Sequence, residues 1–180
     1  DLAQANLDYE QVIYLNPRYA QAYAGKTLLS LTQGNQVLAE IYQAVYEAIQ
    51  ASIAGDVDAN IDILSAIIDN VDTLSIPPEL GYAYYNRANT YIGLGNWDDA
   101  LRDMNHAIDL QPHMQDYYMS RGFIYSETDQ LDLAAPDFYQ RMTLIEATSI
   151  DEVLDFGKTV PVEIDYGTVA RLTFSGKAGQ

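Results

Sequence analysis

The residues with the clearest potential for chemistry are four oxygen-bearing side chains that alternate along one segment, Asp56, Asp58, Asn60 and Asp62. Alternating oxygen ligands are how a calcium-binding loop surrounds a hard cation. Such a loop also needs a glycine at its sharp turn and a closing glutamate, and this chain has Ile61 and Ile67 there. We therefore predict that the acids cap a helix that begins in this segment, and we assign no metal.

The other candidates for catalysis lack the partners that catalysis needs. The two histidines, His106 and His113, stand seven residues apart, and a lone pair of histidines without a cysteine or carboxylate partner is more often structural than metal-binding. The chain has no cysteine, no nucleophile elbow and no glycine-rich phosphate loop before a helix. The sequence therefore predicts a protein that is not an enzyme and that carries no cofactor.

The charge of the chain restricts its partners. Its 26 acidic and 9 basic residues give a formal net charge of -17. Nucleic acid and anionic lipid both need clustered lysine and arginine, so neither is an expected partner. No apolar run is long enough for membrane insertion. Between Thr27 and Asn86 there is no basic residue. This acidic stretch either steers a basic partner or forms a solvated face that keeps the chain soluble.

These side chains are positioned by elements that repeat every 34 residues. Tyr84, Tyr91, Arg87, Ala100 and Asp103 recur, one period later, as Tyr118, Tyr125, Arg121, Ala134 and Asp137. In the first copy two tyrosines seven apart line one helical face, Gly95-Asn96 ends the helix, and Ala100, Met104 and Ala107 form a second apolar stripe. The period predicts a stacked array of helix pairs, in which each pair buries its apolar face against a neighbour.

These positions follow a pattern of side-chain size: an aromatic, a small residue, a tyrosine, then alanine, a bulky residue and Pro112. This pattern resembles the tetratricopeptide repeat. The resemblance implies an all-α solenoid of antiparallel helix pairs over residues 1–147. Its predicted parts are a partial repeat over 1–17, a degenerate repeat over 20–53, an inserted helix over 58–72, and repeats over 81–114 and 115–147. Pro136 falls early in a second helix, which predicts that this helix starts late.

The last 25 residues follow a different pattern. Residues 159–164 and 168–174 alternate in polarity around Asp165-Tyr166-Gly167, which predicts a short C-terminal β-hairpin. Residues 156–180 resemble the opening of a bacterial pre-peptidase C-terminal type β-domain, and we interpret them as the truncated start of a following domain. That resemblance favours an extracytoplasmic location over a cytoplasmic one. The chain starts at Asp1 rather than at methionine, so we expect it to be a piece of a longer protein.

In tetratricopeptide arrays the first helix of each pair lines a concave groove. By this resemblance the groove residues are Tyr82, Tyr85, Asn86, Asn89, Met119, Ser120, Phe123 and Glu127. Tyrosines offer stiff contact area, and asparagines can bind a peptide backbone. We therefore predict a non-catalytic scaffold that binds a protein or peptide segment, with a basic one favoured by the acidic flanks.

Two alternatives remain open at this point. In the first alternative, the helices are an accessory spacer of a larger secreted enzyme. The neighbouring domains of the intact protein would distinguish a spacer from a scaffold. Self-association is the other alternative, because an array that begins in mid-repeat leaves a helix face uncovered near Leu7, Ile13 and Leu15.

Overall fold

Short helices joined by tight turns account for most of the chain. The computed structural model describes residues 1–71, 75–140, 162–165 and 171–174. Its helices are α1 Leu2–Leu15, α2 Ala20–Thr32, α3 Gln36–Ala54, α4 Val57–Asn70, α5 Gly81–Leu94, α6 Trp97–Leu110, α7 Gln115–Glu127 and α8 over residues 131–140, with a short 3-10 helix, Pro78–Leu80, before α5. All of them belong to one compact unit, Asp1–Arg141.

The ends of the helices follow from residues that satisfy free backbone groups. Asp1, Asn35 and Asp56 each accept a hydrogen bond from a backbone N–H in the first turn of α1, α3 and α4, respectively. Gly55 and Gly95 close α3 and α5 in the left-handed region, at φ 80° and 70°. These turns are tight enough to fold each helix back on the one before it.

The core of this unit is built around tyrosines. Tyr23 of α2 and Tyr42 of α3 both contact the ring of Tyr82 in α5, with centroids 5.6 and 6.3 Å apart. One turn further along α5, Tyr85 stacks on Tyr117 of α7 with 4.7 Å between centroids. All five rings are buried. Two groups of ring contacts, one turn apart on α5, therefore join α5 to α2 and α3 on one side and to α7 on the other; we call these five tyrosines the tyrosine row.

Helix α4 lies in the segment for which an additional helix is predicted. Asn60 is buried and donates from Nδ2 to the carbonyl oxygen of Ala48 in α3 at 2.7 Å. Its Oδ1 accepts from the Thr90 hydroxyl of α5 at 2.6 Å. A second bond joins the Ser65 hydroxyl to Arg87 of α5 at 2.9 Å. The order of these contacts along the two helices shows that α4 runs antiparallel to α5.

Two sequence predictions need correction here. Ile13, placed on the uncovered face of α1, is fully buried, because α1 turns this side chain into the core while Leu7 and Leu15 stay exposed. The helix that contains Pro136 does not start late, because the chain is helical over residues 131–140. The proline lies in its second turn and removes one backbone donor there without ending the helix.

The second unit, Met142–Gln180, has two described strands. Strand β1, Val162–Asp165, pairs antiparallel with β2, Arg171–Phe174, in a register that sets residue 162 opposite 174 and residue 165 opposite 171. The other residues of the predicted hairpin lie outside the described part of the chain. The β-domain resemblance of this segment stays a prediction.

Candidate partner-binding site

The eight predicted groove residues separate into a buried set and an open set. Tyr82, Tyr85 and Asn86 are only 7%, 5% and 4% exposed, respectively. Tyr82 and Tyr85 contribute their rings to the tyrosine core, and Asn86 donates from Nδ2 to the carbonyl oxygen of Tyr82 at 2.8 Å. These three side chains therefore hold helices together and offer little surface to a ligand.

The environment of Tyr85 shows how α5 and α7 are coupled. Burial raises the pKa of its hydroxyl, the charge of Asp116 raises it further, and hydrogen bonding with Ser120 and Asn89 partly opposes this. Asn89 also donates from Nδ2 to the carbonyl oxygen of Tyr85 at 2.8 Å. Ser120 and Asn89 are half-buried and flank the seam between the two helices.

The open residues lie on α7. Met119 and Phe123 are 47% and 44% exposed, respectively, and Glu127 is also exposed on the same helix. These three residues are four apart, so they lie on one side of α7. The ring of Phe123 meets Trp97 of α6 edge-on, with 6.3 Å between centroids. We call Met119, Ser120, Phe123 and Glu127, together with Asn89 of the adjacent helix α5, the α7 face.

The repeat period explains why this face is open. Met119 is the counterpart, one period later, of Tyr85. Tyr85 is covered because α7 supplies Tyr117 to stack on it. Met119 stays half exposed because none of the described helices stacks on α7 in the same way. The same repeat position is therefore buried in α5, where it is Tyr85, and exposed to solvent in α7, where it is Met119.

The recurring arginines and aspartates are visible in the sequence, but the sequence pattern alone did not indicate that they form ion pairs. Arg87 forms a two-pronged pair with Asp103, at 2.7 and 2.8 Å, and Arg121 forms the same pair with Asp137, at 2.7 Å for both bonds. Hydrogen bonding to Asp137 raises the pKa of Arg121. The available signal was the constant spacing of 16 residues between arginine and acid in both repeats.

Each of these arginines is also enclosed by aromatic rings. The Arg87 guanidinium lies 5.8 and 6.0 Å from the ring centroids of Tyr84 and Tyr91, which stand seven residues apart on the same face of α5. Tyr118 and Tyr125 enclose Arg121 in the same way. The tyrosines that define the period therefore stabilise an ion pair within each repeat.

The remaining candidates for chemistry have structural contacts. The carboxylate of Asp56 accepts from the backbone N–H of Ala59 at 3.1 Å, and Asn60 is held inside the unit by its bonds to α3 and α5. His106 packs on Tyr84, with 4.9 Å between ring centroids. No cluster of three or more histidine or acidic side chains that could hold a metal ion occurs in the described residues.

Among the helices that the structure describes, none has both the length and the apolar character needed to cross a bilayer.

Comparison with known proteins supports the class of fold. Residues 81–114, the α5–α6 pair, match the tetratricopeptide repeat family model. No curated protein matches the chain. A crystal structure of MamA superposes with a TM-score of 0.54 at 18% sequence identity, covering 83% of this chain and 92% of that one. A second MamA structure gives a TM-score of 0.52 at 19% identity and covers 83% and 86%, respectively.

The chain therefore contains a tetratricopeptide repeat, and its first unit has a tetratricopeptide-like helical fold. Proteins with such repeats are built for protein–protein interaction, and the likeness to MamA at this level of identity concerns the fold alone.

Proposed function

We propose that this chain is a non-catalytic interaction scaffold that binds a segment of a partner protein on the α7 face. The observation that carries the proposal is the exposure of two large apolar side chains, Met119 at 47% and Phe123 at 44%, four residues apart on one helix. Large apolar side chains that share one exposed helix face are typical of binding surfaces.

The chemistry of the α7 face indicates the kind of segment that it would take. Met119 is a flexible apolar side chain, and Phe123 with the neighbouring Trp97 gives a stiff aromatic edge. Glu127 and the formal charge of -17 favour basic residues next to an apolar anchor. The proposed ligand is therefore an amphipathic helix or extended segment with an apolar anchor and a basic flank.

Site-specific photo-crosslinking in an extract of the native source would test this site. A photoreactive phenylalanine analogue placed at Phe123 should capture one defined protein, and Met119→Ala in the same chain should reduce the yield. The matched control carries the analogue at Ile53, an apolar residue of α3 that is 74% exposed. Equal capture of the same proteins at both positions, or a yield unchanged by Met119→Ala, would reject the α7 face.

Self-association is a second candidate, and the exposure of α1 favours it. Leu2, Leu7 and Leu15 of α1 are 57%, 57% and 69% exposed, respectively. A second copy of the chain would cover these side chains if it bound to α1, and the bound fraction would rise with protein concentration. Light scattering over a wide range of protein concentration tests this, and a monomer at every concentration excludes it.

A further inference from the structure

A cleft distinct from the α7 face opens between α1 and the start of α5. Its volume is about 460 Å³, within the range of small-ligand sites. Glu10 and Tyr14 of α1 line one side, and Glu79, Tyr82 and the α6–α7 loop line the other. The Tyr14 hydroxyl accepts a hydrogen bond from Gln115 Nε2, which ties α1 to the first turn of α7 beside the cleft.

The wall of this cleft contains a buried polar group without a partner. Tyr42 is 1% exposed, and its ring is held by Tyr23, by Tyr82 and by the Lys26 ammonium at 5.1 Å. Its hydroxyl makes no hydrogen bond to any residue in the described part of the chain. A buried hydroxyl left unsatisfied costs about 1–3 kcal/mol. This cost would be removed by a ligand that supplies a hydrogen bond to the hydroxyl.

The Lys26 ammonium beside the Tyr42 ring is paired with Glu10 at 3.0 Å, and the other charged groups named here are carboxylates. Glu79 and Tyr42 both line the cleft. Burial raises the pKa of Tyr42, and the charge of Glu79 raises it further. Glu79 is half-buried and pairs with no described residue. Glu10 accepts from Lys26 and Asn6 through Oε1 alone, so its Oε2 has no bond within the described residues. An anion would be repelled here, and an apolar group would leave all these acceptors unpaired.

We propose that the cleft binds the guanidinium group of an arginine side chain from a partner protein. Guanidinium has only hydrogen-bond donors, in a planar fork that matches the two oxygens of the Glu79 carboxylate. Its remaining N–H groups would reach the Tyr42 hydroxyl and Glu10 Oε2. The ring of Tyr14, which also lines the cleft, adds an aromatic neighbour suited to a planar cation.

The inference extends the proposed function, since a partner segment is the source of the arginine, but it uses other residues. Crosslinking at Phe123 can therefore succeed while the arginine site fails, and the reverse also holds. The probe is a blocked glycine–arginine–glycine peptide titrated into the isotope-labelled chain and followed by amide NMR shifts. The uncharged control is the same peptide with citrulline, which keeps the shape of arginine and removes its charge.

We expect saturable shifts confined to amides around the cleft, and binding of the citrulline peptide weaker by roughly tenfold or more. Glu79→Gln should weaken arginine binding to a similar degree. The matched control is Asp62→Asn, which removes one exposed carboxylate from α4, away from the cleft. Tyr42→Phe should weaken binding while leaving the free energy of unfolding equal or higher, because it deletes an unsatisfied hydroxyl.

Several results would overturn the proposal. Equal binding of the citrulline peptide would show that charge is not recognised, and equal loss in Glu79→Gln and Asp62→Asn would show only general attraction to an acidic protein. Binding of agmatine without binding of the blocked peptide would replace the protein arginine by a small free guanidinium compound. A marked loss of stability in Tyr42→Phe would mean that the hydroxyl is already satisfied within the fold.

Discussion

At the scale of single residues, the repeated ion pair between arginine and aspartate has the largest consequence. The side chains of Arg87 and Asp103 are 14% and 2% exposed, respectively, so each has given up most of its water. Two charge-assisted hydrogen bonds and two tyrosine faces offset that loss. Removal of one partner would leave the other charge buried without compensation.

We therefore predict that Asp103→Ala lowers the free energy of unfolding by on the order of 3 kcal/mol, measured by urea unfolding with far-UV circular dichroism. The matched control is Asp99→Ala, which breaks the ion pair between Asp99 and Arg102. The side chains of this pair are more exposed, 64% for the arginine and 33% for the acid. Its loss should lower the free energy of unfolding by about 1 kcal/mol or less.

A double variant separates the buried charge from the lost contact. Arg87→Met with Asp103→Leu removes both charges and keeps apolar volume, so it should lose less stability than Asp103→Ala alone. If the double variant is the less stable of the two, the pair stabilises the fold by itself and the desolvation argument is wrong.

The degenerate repeat departs from this pattern in a way that the sequence only partly revealed. The residue 16 places after Lys26 is Tyr42, where the other repeats have an aspartate. Lys26 is 5% exposed and instead contacts Glu10, 16 places before it, at 3.0 Å. The basic position could be read from the period. Its partner could not, because the substitution at Tyr42 redirects the lysine to the previous helix.

At the scale of helices, α4 is integrated into the array beside α5. Arg121 of α7 receives its third contact from Asn105 of the preceding helix α6, at 2.8 Å. Arg87 of α5 receives the equivalent contact from Ser65 of α4, at 2.9 Å. Helix α4 therefore contacts α5 in the same way that α6 contacts α7. The failure of the period indicated an extra helix, and the contacts that position it depend on packing.

The same limit applies to the predicted groove. Tyr85 and Met119 stand at equivalent positions on helices of similar pattern, so the sequence assigned both to one surface. Only the stacking of Tyr117 on Tyr85 makes one buried and the other exposed. Periodicity predicts which side of a helix packs on the other helix of the same repeat. Whether the opposite side is exposed depends on which side chains of the next repeat pack on it.

The attachment of α1 to α2 depends on a glycine, and this gives a prediction for one element. A Cβ added at Gly25 would overlap the ring of Tyr9 in α1, so Gly25→Ala should push the two helices apart. We expect a loss of about 1–3 kcal/mol in the free energy of unfolding, with faster amide hydrogen exchange in α1.

Gly93→Ala is the matched control for this substitution. It adds the same methyl group within α5 where no atom outside the local helix lies within 4 Å. It should raise the free energy of unfolding by up to about 1 kcal/mol, because alanine is the better helix former. If both variants are stabilised alike, close contact between Gly25 and Tyr9 is not what holds α1.

At the scale of the whole molecule, the tyrosine row links helices α2, α3, α5 and α7 and should make stability sensitive to alkaline pH. Burial raises the pKa of Tyr23 and Tyr117 well above the ordinary 10.0, and raises that of Tyr82 to about 12. Two of these hydroxyls donate hydrogen bonds that need the proton, Tyr23 to the Pro17 carbonyl at 2.7 Å and Tyr117 to Gln111 Oε1 at 2.8 Å.

The sign of the effect follows from proton binding. Above about pH 10 the unfolded chain releases its phenolic protons while the folded chain keeps those of the buried tyrosines, so the unfolded state binds fewer protons. The free energy of unfolding is therefore unaffected by these groups below pH 10 and decreases as the pH rises further. Each buried tyrosine contributes up to about 1.4 kcal/mol per pH unit, and for Tyr82 the loss is complete near pH 12.

We expect the urea midpoint to fall steeply above pH 10, and phenolate absorbance to show that Tyr23 and Tyr117 lose their protons only as the fold is lost. Tyr82→Phe should make this fall less steep. The matched control is Tyr19→Phe, at a position that is 47% exposed, and it should leave the slope unchanged. Titration of all 15 tyrosines together near pH 10, with the helices intact, would show that the row is open to solvent and does not form the core of the array.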